Sequence, residues 1–535
     1  MKTMISSIIL ASCLALPLAS CSDSDAAPEQ KDWSTTTYFY SADAAMQDTY
    51  YKPTVGYVGD PMPFFDPVAG DFKVLYLQDF RPNPEGTYHP IWGVSTKDAA
   101  HYTSLGELVS CGTKKSQDAA IGTGSTIYDE ASKLYYTFYT GNKYLPTGDE
   151  SAQAVMVATS PDFKTWTKDR TFLLKGQDFG YDKNDFRDPF VFKGDDGKFH
   201  MLISTKKGGK GSLAEFVSDD LKNWTDNGVF MTMMWNRFYE CPDLFKMGDY
   251  WYLVYSEIHH AVRRVQYFKG RTLDELKACT ANDAGRWPDA HEGFLDSRGL
   301  YAGKTASDGT NRYLWGWCPT RSGKDNTAVG ASPAEPEWGG NLVCYKLIQH
   351  EDGTLTLGQV DAVSEKYNQD VAVEVKESQN MTEANDTYTL AGNAGQPDAY
   401  MLMGRLGNHN KISFTVTTSN EWDKFGISMV RGSDSKKYYT MVVNPENENV
   451  RKVNFEERGV EGKGFIAGID GYVFARPADN VYNITIYTDN SICVMYINDV
   501  CSYTNRIYGI QKNCWSIDSF NGANVKVSNL KICQY

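Results

Sequence analysis

The chain has 535 residues, 22% charged and 41% hydrophobic, with 46 Gly and 20 Pro. That is a globular composition, which excludes a disordered, collagenous or coiled-coil chain, and the length exceeds the ~250–300 residues at which one core stops growing. A formal net charge of −14 argues against binding by phosphate neutralisation, so nucleic acid is not an expected partner. The 13% aromatic content favours strands and aromatic-lined sites.

Residues 1–21 read as a segment outside the fold. Lys2 gives a positive start, residues 4–18 are largely apolar, and Leu18-Ala19-Ser20-Cys21 closes the segment with small residues. This looks like a bacterial lipoprotein signal with Cys21 as the lipidated residue; an ordinary secretory signal with an incidental cysteine is the alternative. Residues 22–31 are polar and acidic, as a flexible tether should be. The expectation is an exported, outer-membrane-anchored lipoprotein, on the periplasmic or the cell-surface face, touching the membrane through its N-terminal lipid only. Loss of Cys13 and lipidation of Cys21 would leave nine of eleven cysteines, of which Cys493, Cys501, Cys514 and Cys533 could form one or two bridges. No His or Cys spacing matches a metal site, so neither a catalytic metal nor a cofactor is expected.

Residues 32–350 contain a repeat. Segments 95–102, 160–166 and 218–224 share a pattern of small polar residue, Asp, apolar residue, Lys (Ala100 in the first) and aromatic residue, at offsets of about 58–65 residues. Between them lie strand-like runs at 73–77, 134–139, 154–158, 199–203 and 250–255, and one brief helical stretch at 273–277. Short antiparallel strands in blocks of this length predict four-stranded blades, and five fit into 32–350. Glu351-Asp352-Gly353 is a turn, 372–393 is polar, and period-two alternation at 482–486 leads through Asp489-Asn490, a hairpin turn, to an apolar run at 493–497. The second unit, 365–535, is expected to be a β-sandwich that buttresses the first. The fold class is therefore all-β.

Three acids stand beside prolines: Asp60 in Gly59-Asp60-Pro61, Asp188 in Arg187-Asp188-Pro189, and Glu240 in Glu240-Cys241-Pro242. A following proline biases its neighbour toward extended backbone, and a propeller would bring acids on successive innermost strands around one axis. Asp66-Pro67 is read as the close of a turn, with a second pocket acid the alternative, and Cys241 as a small buried thiol rather than a nucleophile.

These motifs resemble glycoside hydrolase family 32, the fructan- and sucrose-cleaving enzymes, whose Arg-Asp-Pro and Glu-Cys-Pro segments are matched in full. Lesser matches are Tyr76-Leu77-Gln78, Trp92-Gly93, Thr123-Gly124-Ser125, Trp315-Gly316-Trp317 and the segment Tyr496-Ile497-Asn498-Asp499. The resemblance implies a five-bladed β-propeller followed by a β-sandwich, with Asp60 as nucleophile, Glu240 as acid/base and Asp188 as transition-state stabiliser of a retaining β-fructosidase. Arg187, Gln78, Trp92 and Ser125 are candidate sugar contacts, with blade packing the alternative for Trp92. Glu240 is expected to be held protonated by burial and two neighbouring carboxylates. The family's Asn-Asp-Pro-Asn-Gly appears here as Gly-Asp-Pro-Met-Pro, which removes an amide from the sugar pocket and puts the sugar preference in question. Family 43 shares the Asp, Asp, Glu arrangement and would imply an inverting arabinofuranosidase or xylosidase. A surface glycan-binding protein that has lost turnover is the third reading.

Overall fold

The computed structural model describes residues 49–80, 89–233, 238–257, 264–279, 293–321, 336–431, 437–459 and 471–535. The signal, Cys21 and the tether lie outside the described residues.

Antiparallel units follow one another from Tyr57. The first holds β1 (Tyr57–Asp66), β2 (Asp71–Asp79), β3 (Ile91–Thr96) and β4 (Thr103–Val109). The second holds β5 (Ala120–Asp129), β6 (Leu134–Asn142), β7 (Gln153–Ser160) and β8 (Thr167–Leu174). β9 (Phe186–Lys193), β10 (Phe199–Lys207), β11 (Lys210–Ser218) and β12 (Thr225–Thr232) form the third. β13 (Glu240–Met247), β14 (Tyr250–Glu257) and β15 (Arg264–Gly270), followed by α1 (Leu273–Ala278), form the fourth. The fifth holds β16 (Tyr301–Ser307), β17 (Arg312–Arg321), β18 (Pro336–Gln349) and β19 (Leu355–Gly358). β1 packs on β5, β5 on β9, β9 on β13, β13 on β16 and β16 on β1. The five innermost strands therefore close a ring around one axis, and β18 pairs with β1 to join the last blade to the first.

The sequence repeat is the turn between the third and fourth strands of the first three blades. Thr96, Ser160 and Ser218 donate to Oδ1 of Asp98, Asp162 and Asp220 at 3.2, 3.1 and 3.1 Å. Each of those carboxylates also accepts two backbone N–H groups further along the turn. The apolar residue of the repeat (Ala99, Phe163 or Leu221) takes a positive φ and is buried. An Asx-type turn thus drives one side chain back into the blade, which is why the repeat needs both its acid and its apolar member.

Glu351-Asp352-Gly353 is a hairpin turn inside the fifth blade, so the propeller runs on to Gly358, past the expected boundary at 350. A helix Asp361–Lys366 follows, and then the sandwich, whose two antiparallel sheets have eight and seven strands. Its core is apolar, built from Met401, Ile427, Met441, Phe455, Ile486 and Trp515 among others. The unbroken apolar run at 493–497 serves two cores. Cys493, Met495 and Ile497 face the sandwich interior, while Val494 and Tyr496 join a cluster with the propeller residues Tyr345, Leu347 and Leu357. Buried Arg506 of the sandwich donates to the carbonyls of Pro319 and Cys318, both at 2.7 Å.

The expected disulfides are absent: Cys493, Cys501, Cys514 and Cys533 are free thiols. Cys493 and Cys501 lie on paired strands but out of register, opposite Asn505 and Ile497. Cys514 belongs to the other sheet, and Cys533 faces the propeller.

Candidate active site

Each innermost strand begins with a β-bulge. The register shifts between Gly59 and Met62 on β1, Gly122 and Gly124 on β5, Glu240 and Asp243 on β13, and Tyr301 and Lys304 on β16. On β9 the shift lies opposite Leu202–Ser204, at Asp188-Pro189. Aligned on these bulges, the strands place equivalent residues at one end of the ring. Asp60, Thr123, Asp188, Cys241 and Ala302 form one layer, preceded by Gly59, Gly122, Arg187, Glu240 and Tyr301. The next position is Pro61, Gly124, Pro189, Pro242 or Gly303. A bulged residue leaves the ladder, so proline's missing N–H costs nothing there.

The residues before the three prolines are not extended, as the prolines suggested. Asp60 has φ 34° and Asp188 φ 57°, with Cys241 at 51°. The bulge imposes left-handed backbone and overrides the pre-proline bias, at a cost aspartate bears better than most residues.

This equivalence explains the hydrogen bonding. Glu240 is flanked by its counterparts on both neighbouring strands: Arg187 Nη2 donates to Oε1 at 3.0 Å and the Tyr301 hydroxyl donates to Oε2. One layer below, Thr123 Oγ1 donates to Asp60 Oδ2 at 2.8 Å, and the Cys241 N–H donates to Asp188 Oδ2 at 2.9 Å. Trp317 Nε1 on β17 donates to Asp60 Oδ1 at 3.1 Å. Cys318 and Pro319, whose carbonyls Arg506 holds, directly follow Trp317, so the sandwich steadies a donor to Asp60. Asp60 and Glu240 are half-buried, whereas Asp188 is only 4% exposed.

Burial pushes the Asp188 carboxyl up to about 7; Arg187 and the Cys241 amide oppose the shift, and the charges of Glu240 and Asp60 add to it. Asp188 lies deepest of the three acids, while Arg187 is aimed at Glu240. Burial also disfavours charge on Arg187, but Glu240, Asp188 and Asp185 outweigh it and raise its proton affinity. Asp185 pins the same guanidinium at 2.6 Å, and the Phe238 ring lies 3.9 Å beneath it. Burial holds the Cys241 thiol far above its ordinary value, so it stays protonated.

The other sequence candidates are placed differently. Ser125 clamps two strands, donating to Pro189 O and accepting from Val191 N–H, both at 2.9 Å. It positions the Asp188 strand. Gln78 is fully buried, its amide donating to Val55 O ahead of β1. Trp92, on the third strand of its blade, packs on Phe80 at 5.9 Å. Among the described residues, no contact of Gln78 or Trp92 reaches the carboxylates. Asp66 accepts from Val68 and Ala69 N–H and does close a turn. Among the described residues, no cluster of three His, Cys, Asp or Glu side chains is placed to hold a metal ion.

Tyr301 and Trp338 were not singled out from the sequence, and Trp317 entered only within the Trp315-Gly316-Trp317 match. A Cβ at Gly59 would meet the Trp338 indole at 2.2 Å, so the indole fills the space that the family's asparagine would need. Trp338 also stacks on His89, 4.0 Å between centroids. The readable signal was the recurrence of the bulge at intervals of 53–65 residues, marked by Pro or Gly after the layer residue.

The family model for the glycosyl hydrolases family 32 N-terminal domain matches residues 50–360, and that for the GH32, BT1760-like, C-terminal domain matches residues 353–532. The chain belongs to glycoside hydrolase family 32. Beta-fructofuranosidase, insoluble isoenzyme CWINV2, of Arabidopsis thaliana is 26% identical over 310 residues, covering 52% of this chain and 50% of that protein. Fructan 6-exohydrolase of Beta vulgaris is 25% identical over 287 residues, covering 50% of this chain and 46% of that protein. The chain spans about half the length of the curated relatives it matches. Fructan 1-exohydrolase IIa from Cichorium intybus shares the fold at 16% identity and TM-score 0.67, over 91% of this chain and 97% of that one.

Proposed function

We propose that this protein is a β-fructosidase that hydrolyses fructose-containing oligo- or polysaccharides with retention. The observation that carries the reading is the bulge alignment, which presents Asp60, Asp188 and Glu240 together at one mouth of the ring. Asp60, with Thr123 and Trp317 dispersing its charge, attacks the anomeric carbon as the glycosidic bond breaks, and Glu240 gives its proton to the leaving oxygen. Water, deprotonated by Glu240, then releases the sugar from Asp60. Arg187 and Tyr301 hold the Glu240 carboxyl from both sides and so fix its direction toward the leaving oxygen. Asp188, fixed by the Cys241 N–H, lies where positive charge develops on the ring.

The test is a panel of levan, inulin, sucrose and arabinan with the product anomer read by NMR. The expected result is fructose-containing product formed with retention, and a rate reduced at least ~10³-fold by Asp60→Asn or Glu240→Gln. Arabinan cleavage with inversion would replace this reading by the family 43 type, and glycan binding without hydrolysis would replace it by a binding protein.

Residues 1–21 support a second part of the proposal, export as a lipoprotein anchored through Cys21 at the outer membrane. Labelled fatty acid should enter the wild-type chain and not Cys21→Ala. Equal labelling of both would end it.

A further inference from the structure

Two residues past each bulge, the ring presents Met62, Ser125, Phe190, Asp243 and Lys304. Lys304 is the cation of this layer and is 2% exposed. Its side chain leaves β16 and reaches β5, which is not its neighbour in the ring, where Nζ donates to Gly124 O at 2.8 Å. The ammonium therefore crosses the axis beneath the site. It lies 5.4 Å from the Phe190 ring, two residues beyond Asp188. Gly124 directly follows Thr123, the donor to Asp60, and its own N–H contacts Met62 Sδ at 3.1 Å.

We propose that Lys304 is a positioning residue for the reaction: a buried counter-charge under the three carboxylates that also fixes the Gly124 carbonyl, and through it the Thr123 bond to the nucleophile. Three acids around one mouth repel one another, and Arg187 reaches Glu240 from the outer layer. A cation on the axis below serves the two acids of the inner layer. The groups facing it are Asp60 on β1, Asp188 on β9, and Cys241 and Asp243 on β13, while β5 offers only Thr123 and Gly124. Arg312 on β17 also reaches this layer, donating to Thr305 Oγ1, which bonds the Asp243 carboxylate. Burial lowers the proton affinity of Lys304, and Cys241, Asp243, Asp188 and Asp60 all oppose that shift.

The role of Asp60 rests on the β-fructosidase reading, so the test has one arm that needs no turnover. In Lys304→Met, the loss of thermal stability relative to wild type should be large at pH 8 and vanish or reverse near pH 4, where Asp188, raised to about 7, is protonated and the buried cation has lost that partner. A pH-independent loss would reduce Lys304 to a packing residue and overturn the proposal. In the activity arm, the acid limb of kcat/KM should move up by about one pH unit, with KM changed less than about threefold. An acid limb within about 0.2 unit of wild type would likewise overturn it. If Lys304→Met does not fold, the pair Asp243→Asn and Asp243→Asn/Lys304→Met removes the facing acid and gives the same two comparisons. A wild type inactive on every fructoside ends the functional reading, and the stability arm still decides Lys304.

Discussion

The β-sandwich and the propeller are both antiparallel and well packed, yet they place backbone strain differently. Among the described residues, ten non-glycine positions in each have positive φ. In the sandwich nine of the ten are Asn or Asp, eight of them outside strands and Asn529 at a strand bulge, with Val430 the exception. In the propeller only Asp60 and Asp188 are of that kind, and the others include Ala99, Lys133, Phe163, Leu221, Cys241 and Ala302. Asn and Asp tolerate left-handed backbone because their short polar side chains bond locally, whereas Lys, Phe or Leu there carries a steric cost of about 1–2 kcal/mol. Charge does not divide in the same way: the sandwich buries Arg451, Glu456, Asp489 and Asp518, and the ring buries Asp188, Asp243 and Lys304 around one axis. What distinguishes the ring is left-handed backbone at residues that only their surroundings keep in place.

Opposite responses to substitution would show the division most clearly. Trp515→Ala, in the sandwich core, should cost about 3–5 kcal/mol of stability at any pH, seen as a lowered Tm. Asp188→Asn should do the reverse in the ring. The wild-type carboxyl is raised from 3.8 to about 7 on folding, so the fold prefers its neutral form. Its stability is complete below the unfolded value of 3.8 and falls as pH rises, until near 7 the ionised form carries the whole burial penalty. An amide avoids that loss while its oxygen still accepts from Cys241 N–H. Asp188→Asn should thus match wild type near pH 4, exceed it by roughly 3–4 kcal/mol at pH 8, and lose activity throughout. A variant less stable than wild type at pH 8 would mean that the ring does not store unfavourable charge.

The same contrast explains what could be read in advance. Turn and strand signals were local, so the blades, the helix near 273 and the hairpin at Asp489-Asn490 followed from short windows. The three acids were legible because prolines mark their bulges. Their backbone was not: pre-proline preference is a one-residue rule, and a bulge is imposed by the pairing strand. Tyr301 and Ala302 belong to the same five-fold set, but Gly303 stands where three strands have proline, which hid the fifth member. Gln78, Trp92 and Ser125 were chosen for chemistry that any sugar pocket would welcome. Which way such a side chain points depends on strands more than 30 residues away, as the Ser125 clamp on Pro189 and Val191 shows. The cysteines near the C-terminus were close in sequence, but Cys493 and Cys501 are out of register on paired strands, Cys533 faces the propeller and Cys514 lies in the other sheet.

The smallest test acts on the backbone alone. Lys133 closes the β5–β6 turn at φ 55°, exposed, and Asn385 sits at φ 49° in the exposed Met381–Ala391 hairpin of the sandwich. Glycine at 133 removes the left-handed cost of about 1–2 kcal/mol and adds about 0.5–1 kcal/mol of unfolded-chain entropy. Lys133→Gly should therefore gain roughly 0.5–1 kcal/mol by urea denaturation with an unchanged m-value. Asn385→Ala exchanges a tolerant residue for an intolerant one at nearly the same φ and should lose a similar amount. If both substitutions moved stability in the same direction, residue type at positive φ would not be what distinguishes the two units, and the cost assigned to the ring's own left-handed positions, Cys241 and Ala302 above all, would have to come from packing instead.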